Sequence, residues 1–191
     1  MLEPLINAIN KTVILNESDI NLCMDYFETI TPTKNTILER QGRIPQYLYF
    51  ISSGFMRLFY MDHEGEEVTS HISGEQNFLV QFLSFIKQQI ATENLGCITE
   101  CVLFRISREN LVTLIDSSES FKKFSLIIFE QAFATSAIRA NDLATLNAEQ
   151  RYKKLMDTQP EILQNIPIQY IASYLGIKPQ SLSRIRRQMI L

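Results

Sequence analysis

Residues 120–146 constrain the fold more than any other stretch, because they run without a glycine or a proline. Such a run predicts one continuous helix, which at 1.5 Å per residue would be about 40 Å long. Its apolar residues form two stripes on different faces of this helix. The first stripe comprises Phe121, Phe124, Ile128, Thr135 and Ile138, and the second comprises Leu126, Phe129, Phe133, Ala137 and Ala140.

A helix that is apolar on two faces has to bury both of them. One face can pack against another part of the same chain, and the other needs a partner, most simply the same helix of a second copy. We therefore predict a homodimer and assign the first stripe to its interface. The alternative is a central helix that is buried on both sides within a monomer.

The N-terminal part of the chain predicts helices followed by strands. Residues 2–30 predict helix in two pieces, with Asn16 as the N-cap of the second piece. From about residue 34 the sequence consists of short β-rich runs, of which the clearest are 47–52, 54–61 and 67–72. Two more short strands lie in NLGCITECVLFRIS, and short helices are predicted within 75–90 and after Ser107.

The runs are separated by the tight turns SSG and DHEG, which are typical of antiparallel hairpins. Several strands joined in this way predict an antiparallel sandwich or barrel. With the helices, the fold class is α+β.

The charge distribution divides the chain. Residues 148–191 hold seven Lys or Arg and three Asp or Glu, a charge of +4, whereas residues 1–147 carry −7. A basic module beside an acidic one indicates a polyanionic partner for the basic module. We therefore predict domains at 1–119 (a β-roll that senses an effector), 120–147 (the dimerisation helix) and 148–191 (a DNA-binding domain).

The C-terminal sequence IPIQYIASYLGIKPQSLSRIRRQMIL predicts two short helices joined by a tight turn. Pro167 and Pro179 each suit the first turn of a helix, and Gly176 suits the left-handed residue after the first helix. A small residue, Ala172, lets the two helices approach closely. Helix, turn with glycine and helix is the helix-turn-helix arrangement, which places its second helix in the major groove of DNA.

The exposed side of the second helix supplies the candidate DNA contacts. Gln180, Ser181 and Arg184 lie near its N-terminal half, where side chains reach base edges. Phosphate contacts are assigned to Lys178, Ser183, Arg186 and Arg187. Residues 178–191 contain no acidic residue, so double-stranded DNA is the predicted partner.

YIASYLGIKPQSLSRIRR resembles the DNA-recognition signature of the Crp/Fnr family of bacterial transcription regulators, and YLYFISSGFMRLFYMDHEGEEV resembles its early β-roll hairpins. The likeness covers nearly the whole chain in the same order. It implies an N-terminal cyclic-nucleotide-binding-like β-roll, a homodimer and a palindromic DNA site. The same resemblance supports the roles given to Gln180, Ser181 and Arg184. It also implies that Gln169, near the start of the first helix, contacts phosphate, and it leaves RNA polymerase open as a further partner.

The sequence departs from the family where cyclic nucleotides bind. The family's Gly-Glu pair falls on Val80–Gln81 and its Arg-Thr pair on Ala91–Thr92, so the cation for the cyclic phosphate is missing. Burying a phosphate without a cation would be costly. We therefore expect the effector to be something other than cyclic AMP or cyclic GMP, and its identity stays unknown. Arg57 and Arg105 could face a ligand, or could equally be solvent-facing strand residues.

Metal and cofactor sites are not expected. Cys23, Cys97 and Cys101 are too few for a four-cysteine cluster, and the only histidines, His63 and His71, lie in a turn and a strand. Relatives continue past the second helix into a β-hairpin wing where this sequence ends with QMIL, so we expect fewer phosphate contacts. No apolar run approaches the roughly 20 residues of a membrane span, and three scattered cysteines suit a cytoplasmic protein.

The sequence predicts a transcription regulator rather than an enzyme, since no metal set or nucleophile–base pair stands out. A different class remains open. The same fold could serve as a protein-interaction module that has lost specific DNA binding.

Overall fold

The computed structural model describes residues 2–189. Its helices are α1 (Glu3–Asn10), α2 (Glu17–Tyr26), α3 (Phe82–Lys87), α4 (Arg108–Ser117), α5 (Glu119–Thr145), α6 (Ala148–Thr158), α7 (Pro160–Asn165), α8 (Ile168–Tyr174) and α9 (Pro179–Met189). Its strands are β1 (Glu28–Ile30), β2 (Ile37–Glu39), β3 (Tyr47–Ser53), β4 (Met56–Met61), β5 (Glu67–Ser73), β6 (Phe78–Leu79), β7 (Asn94–Cys97) and β8 (Val102–Ser107). No helix in this range is long and apolar enough to cross a membrane.

The strands form two four-stranded antiparallel sheets, in the orders β1-β8-β3-β6 and β2-β7-β4-β5. The predicted α+β fold with an antiparallel β-roll is confirmed. The turn between β3 and β4 depends on Gly54, whose φ of +92° is rarely accessible to other residues. A Cβ atom at this position would also meet the side-chain oxygen of Thr99 at 2.8 Å.

Local capping explains where the N-terminal helices begin. The Asn16 side chain accepts a hydrogen bond from the Asp19 N–H at 2.9 Å, and the Asp19 carboxylate accepts one in return from the Asn16 N–H, which completes a capping box. Ser107 caps α4 with a single such bond, since its side chain accepts from the Asn110 N–H at 3.1 Å. Both caps lie at the positions that the sequence indicates.

The structure contains two short strands in segments for which the sequence predicts other structure. Glu28–Ile30 is strand β1, although residues 2–30 were expected to be helical. Thr29 and Ile30 are β-branched and Pro32 follows them, so this segment favours pairing with β8 over a further helical turn. The segment 75–90 holds strand β6 before the short helix α3.

Helix α5 joins the β-roll to the C-terminal helices. Phe121 and Phe124 are only 2% and 8% exposed, because they enter a core cluster shared with α1, β3 and β8. Ile128 packs against the same cluster. Their own chain covers Phe121 and Phe124 and partly covers Ile128, so these three residues offer little free surface to a second copy. Thr135 and Ile138 are exposed, and their part in an interface stays a prediction.

The second apolar stripe of α5 is the one that the chain leaves uncovered. Leu126, Phe133, Ala137 and Ala140 are exposed, and the Phe133 side chain is 78% exposed. Only Phe129 in this stripe is half-buried, and its ring lies 4.9 Å from that of Phe82 on α3.

The C-terminal helices α6–α9 share an apolar core that reaches into the β-roll. Its buried members are Tyr152, Leu155, Ile162, Ile166, Ile171, Ala172, Leu175, Leu182 and Ile185 from the helices and Phe55, Ile72 and Ile98 from the β-roll. The two parts of the chain are thus packed against each other, rather than connected only through α5.

Candidate functional site

The turn between α8 and α9 has the geometry that its glycine indicates. Gly176 has a φ of +69°. The Ile177 N–H donates to the Ala172 carbonyl at 3.0 Å, and the Gly176 N–H donates to the Ser173 carbonyl at 2.9 Å. These two bonds form a Schellman motif, which ends α8 and redirects the chain into α9.

The inner faces of α8 and α9 meet through small and aliphatic residues. Ala172 is fully buried, as the close approach of two helices requires, and it lies in one core cluster with Leu182 and Ile185. Pro179 is the first residue of α9, while Pro167 lies just before α8 as its N-cap. The sequence-based arrangement of two packed helices joined by a glycine-containing turn is reproduced.

The outer face of α9 brings together the predicted DNA contacts. Gln180, Arg184 and Arg187 are exposed, as is Lys178 just before the helix. Ser181, Ser183 and Arg186 are half-buried, and Gln169 is exposed near the start of α8. Within residues 2–189 the cations of this face form no ion pair with a carboxylate. Their charge is therefore available to an anion.

Two arginines outside the predicted set hold the end of α8. Arg139 donates from Nη2 to the Tyr174 carbonyl at 2.8 Å and lies 3.9 Å from the centroid of the Tyr174 ring. Arg151 donates from Nε to the Leu175 carbonyl at 3.0 Å. Cations at a helix C-terminus satisfy its free carbonyls and its dipole. No local pattern marks these residues, because their partners lie 35 and 24 residues away in the sequence.

The β-roll positions that align with the family's Gly-Glu and Arg-Thr pairs are bonded to each other. Gln81 donates from Nε2 to the Thr92 hydroxyl at 2.9 Å, and the Thr92 N–H donates to Gln81 Oε1 at 3.2 Å. The same Gln81 amide also donates to a Glu93 carboxylate oxygen at 3.3 Å. Ala91 is buried beside them. The position of the family's phosphate-binding arginine is thus held by a buried alanine, and its neighbours supply an amide and a carboxylate rather than a cation.

The cysteines are core residues. All three are buried and free, and burial raises the pKa of the Cys23 thiol to about 12. In the part of the chain that the structure describes, no group of three or more His, Cys, Asp or Glu side chains could hold a metal ion.

The two arginines left open by the sequence both have partners within the chain. Arg57 is buried and pairs with Glu67. Arg105 donates from Nη2 to Glu28 at 2.7 Å and lies over the Tyr47 ring.

Family comparison identifies the β-roll. Residues 31–118 match the model described as "Cyclic nucleotide-binding domain". Among curated proteins, no sequence matches the chain.

Solved structures extend the likeness to nearly the whole chain. FixK2 from Bradyrhizobium japonicum aligns with a TM-score of 0.73 and 12% identity over 85% of this chain and 84% of its own. The c-di-GMP-responsive global regulator CLP from Xanthomonas campestris aligns with a TM-score of 0.68 and 19% identity over 91% of each chain. A putative transcriptional regulator of the Crp/Fnr family from Eubacterium rectale aligns with a TM-score of 0.66 and 19% identity over 91% of this chain and 83% of its own.

Residues 31–118 are therefore similar to a cyclic nucleotide-binding domain, and the fold of nearly the whole chain is shared with Crp/Fnr transcription regulators.

Proposed function

We propose that this protein is a homodimeric, DNA-binding transcription regulator of the Crp/Fnr type whose effector is not a cyclic nucleotide. The observation that supports it most is the exposed face of α9, where glutamine, serine and arginine side chains stand together with no acidic residue from 178 to the end. The shared fold with regulators supports it further and argues against a catalytic role.

The residues divide by chemistry into two roles. Gln180, Ser181 and Arg184 lie within the first half of α9, so they are the base readers, with Arg184 able to grip guanine with two hydrogen bonds. Lys178, Ser183, Arg186, Arg187 and Gln169 contact phosphates, which give affinity and register but no sequence information.

A second copy of the chain is the occupant we propose for the uncovered stripe of α5. Leu126, Phe133, Ala137 and Ala140 recur at spacings of seven, four and three residues, which keeps them on one side of the helix. In a two-fold dimer the same stripe of each copy would meet the other. The small alanines would let the helices approach, and the two large residues would supply most of the buried apolar area.

We expect neither cyclic AMP nor cyclic GMP to be the effector, because Ala91 stands at the position of the family's phosphate-binding arginine and Gln81 bonds to Thr92 and Glu93. A cyclic phosphate in this position would lose its hydration without gaining a cation, and it would face the Glu93 carboxylate. We therefore expect DNA binding that does not respond to either nucleotide.

Three alanine variants test the function by selection from a randomised duplex pool and by titration at several salt concentrations. Arg184→Ala should lose about 10- to 100-fold in affinity for the preferred site and relax the preference at one base per half-site. Arg187→Ala should weaken binding to all sequences and reduce the slope of log K against log salt by about 0.9 per lost phosphate contact.

Arg40→Ala is the matched control, since Arg40 is an exposed arginine on the β-roll. It should leave binding unchanged. A wild-type protein that enriches no sequence, or variants at α9 that behave like the control, would reject DNA recognition and favour a protein-interaction module.

A further inference from the structure

A buried arginine joins the β-roll to the C-terminal helices. The guanidinium of Arg57 on β4 lies between two aromatic rings, 3.8 Å from the centroid of Phe59 and 3.9 Å from that of Tyr170 on α8. It also donates to the Thr69 hydroxyl at 3.2 Å and pairs with Glu67. A planar cation stacked on both faces and hydrogen-bonded at its edge holds its partners in one orientation.

A second set of contacts joins β5 directly to α8. The Thr69 N–H donates to the Ser173 hydroxyl oxygen at 2.8 Å, and that hydroxyl donates to the Glu67 carbonyl at 3.3 Å. Strand β5 thus continues its hydrogen bonding onto a helix of the C-terminal module. Because Ser173 lies in the last turn of α8, these bonds fix the end of α8 that leads into α9.

This docking brings the tip of the β4–β5 hairpin to the end of α8 that leads into α9, because Glu67 directly follows the tip and its carbonyl accepts the bond from Ser173. The tip holds the acidic residues Asp62, Glu64 and Glu66, and the Asp62 side chain accepts hydrogen bonds from the N–H groups of Glu64 and Glu66 at 2.9 Å each. Those bonds lower the pKa of Asp62, and the nearby ammonium of Lys178 adds to the effect. The carbonyl of Lys178 accepts the first hydrogen bonds of α9, so its side chain is close to the residues proposed to read bases.

We infer that the acidic β4–β5 hairpin, held beside α9 by the Arg57 and Ser173 contacts, is an autoinhibitory element that weakens DNA binding until the two modules separate. The inference depends on the proposed function. A phosphate that reaches Lys178 approaches the hairpin tip with Asp62, Glu64 and Glu66, and none of these carboxylates has a cation of its own among the ion pairs of residues 2–189. At low salt, charges about 10 Å apart are still felt, and salt of about 0.1 M begins to screen them.

The test compares the full-length wild type with a hairpin variant, Asp62→Asn/Glu64→Gln/Glu66→Gln. Asparagine at position 62 keeps a side-chain oxygen that can accept the bonds of the turn, so the hairpin should remain folded. The control, Glu17→Gln/Asp25→Asn/Glu109→Gln, removes the same charge from exposed positions on α2 and α4. A fourth protein, Arg57→Lys, keeps the charge at the junction but loses the planar stacking.

Affinity for a duplex selected by the wild type is measured at low and high salt. The hairpin variant should bind about three- to tenfold more tightly than the control at low salt, with a smaller difference at high salt. Arg57→Lys, checked by circular dichroism to be folded, should also bind more tightly than the wild type because docking is weakened.

Two results overturn the inference while leaving the proposed function intact. One is a hairpin variant that binds no better than the equally charged control. The other is an Arg57→Lys protein that is folded and binds as the wild type does. If none of the four proteins binds duplex DNA, the proposed function fails and the inference fails with it.

Discussion

Replacing Phe133 by alanine should dissociate the proposed dimer without weakening the fold of each protomer. The Phe133 ring is 78% exposed in one chain, so its truncation removes no contact from that chain's core. A phenylalanine ring that is buried at an interface loses roughly 100 Å² of apolar contact when it is cut to alanine, or about 2.5 kcal/mol. Each dimer contains two such rings. The total is about 5 kcal/mol, which corresponds to a roughly 5,000-fold rise in the dimer Kd.

Phe124→Ala is the matched comparison, because Phe124 lies on the opposite face of the same helix and is 8% exposed. This change should lower the free energy of unfolding by about 3–5 kcal/mol. Sedimentation equilibrium over a wide concentration range gives the Kd, and urea unfolding gives the stability. The reasoning is refuted if Phe133→Ala keeps the wild-type Kd, or if Phe124→Ala leaves stability unchanged and dissociates the dimer instead.

Two further predictions concern stability. Gly54→Ala should lower the free energy of unfolding by about 2–4 kcal/mol, since the new Cβ would strain a φ of +92° and would clash with the Glu100 carbonyl and the Cys101 sulfur. Gly65→Ala, at φ +80°, has open space around the new Cβ and should cost only about 1 kcal/mol. Equal losses for the two variants in urea unfolding would contradict this. Burial and the charge of Arg139 lower the pKa of His71 from 6.5 to about 4. Between these two values the imidazole is protonated in the unfolded chain and neutral in the folded chain. Stability should therefore fall by up to roughly 3 kcal/mol as pH drops from 6.5 to 4, and His71→Gln should remove that part of the slope in paired denaturant titrations.

Local sequence signals were sufficient for most of the fold. The Asn16 cap, the hairpin turns and Gly176 are features in which a residue acts on its immediate neighbours, so each can be inferred from a short window. The exposed face of α9 follows from the helical period in the same way. These features place the β-roll, the long helix and the final helix pair.

The two stripes of α5 show where such signals end. Periodicity identifies both stripes as apolar, but it does not tell which one faces the β-roll. Which stripe faces the β-roll depends on the direction in which α4 leads into α5. It also depends on the aromatic residues already in the core, such as Phe50 and Phe78. The first stripe, which has Phe121 and Phe124 near the start of α5, completes this core.

The junction at Arg57 could not be inferred from the sequence for a related reason. Arg57 and Thr69 lie 12 residues apart and meet only because β4 pairs with β5, and Tyr170 comes from the far end of the chain. The sequence around an arginine in a strand does not show whether its side chain binds a ligand, faces solvent or contacts another domain. In this protein Arg57 serves domain docking. The Phe59 and Tyr170 rings stabilise its buried guanidinium, which has lost its hydration water. If this junction sets the position of the acidic hairpin, a residue far from DNA in the sequence determines how readily α9 reaches it.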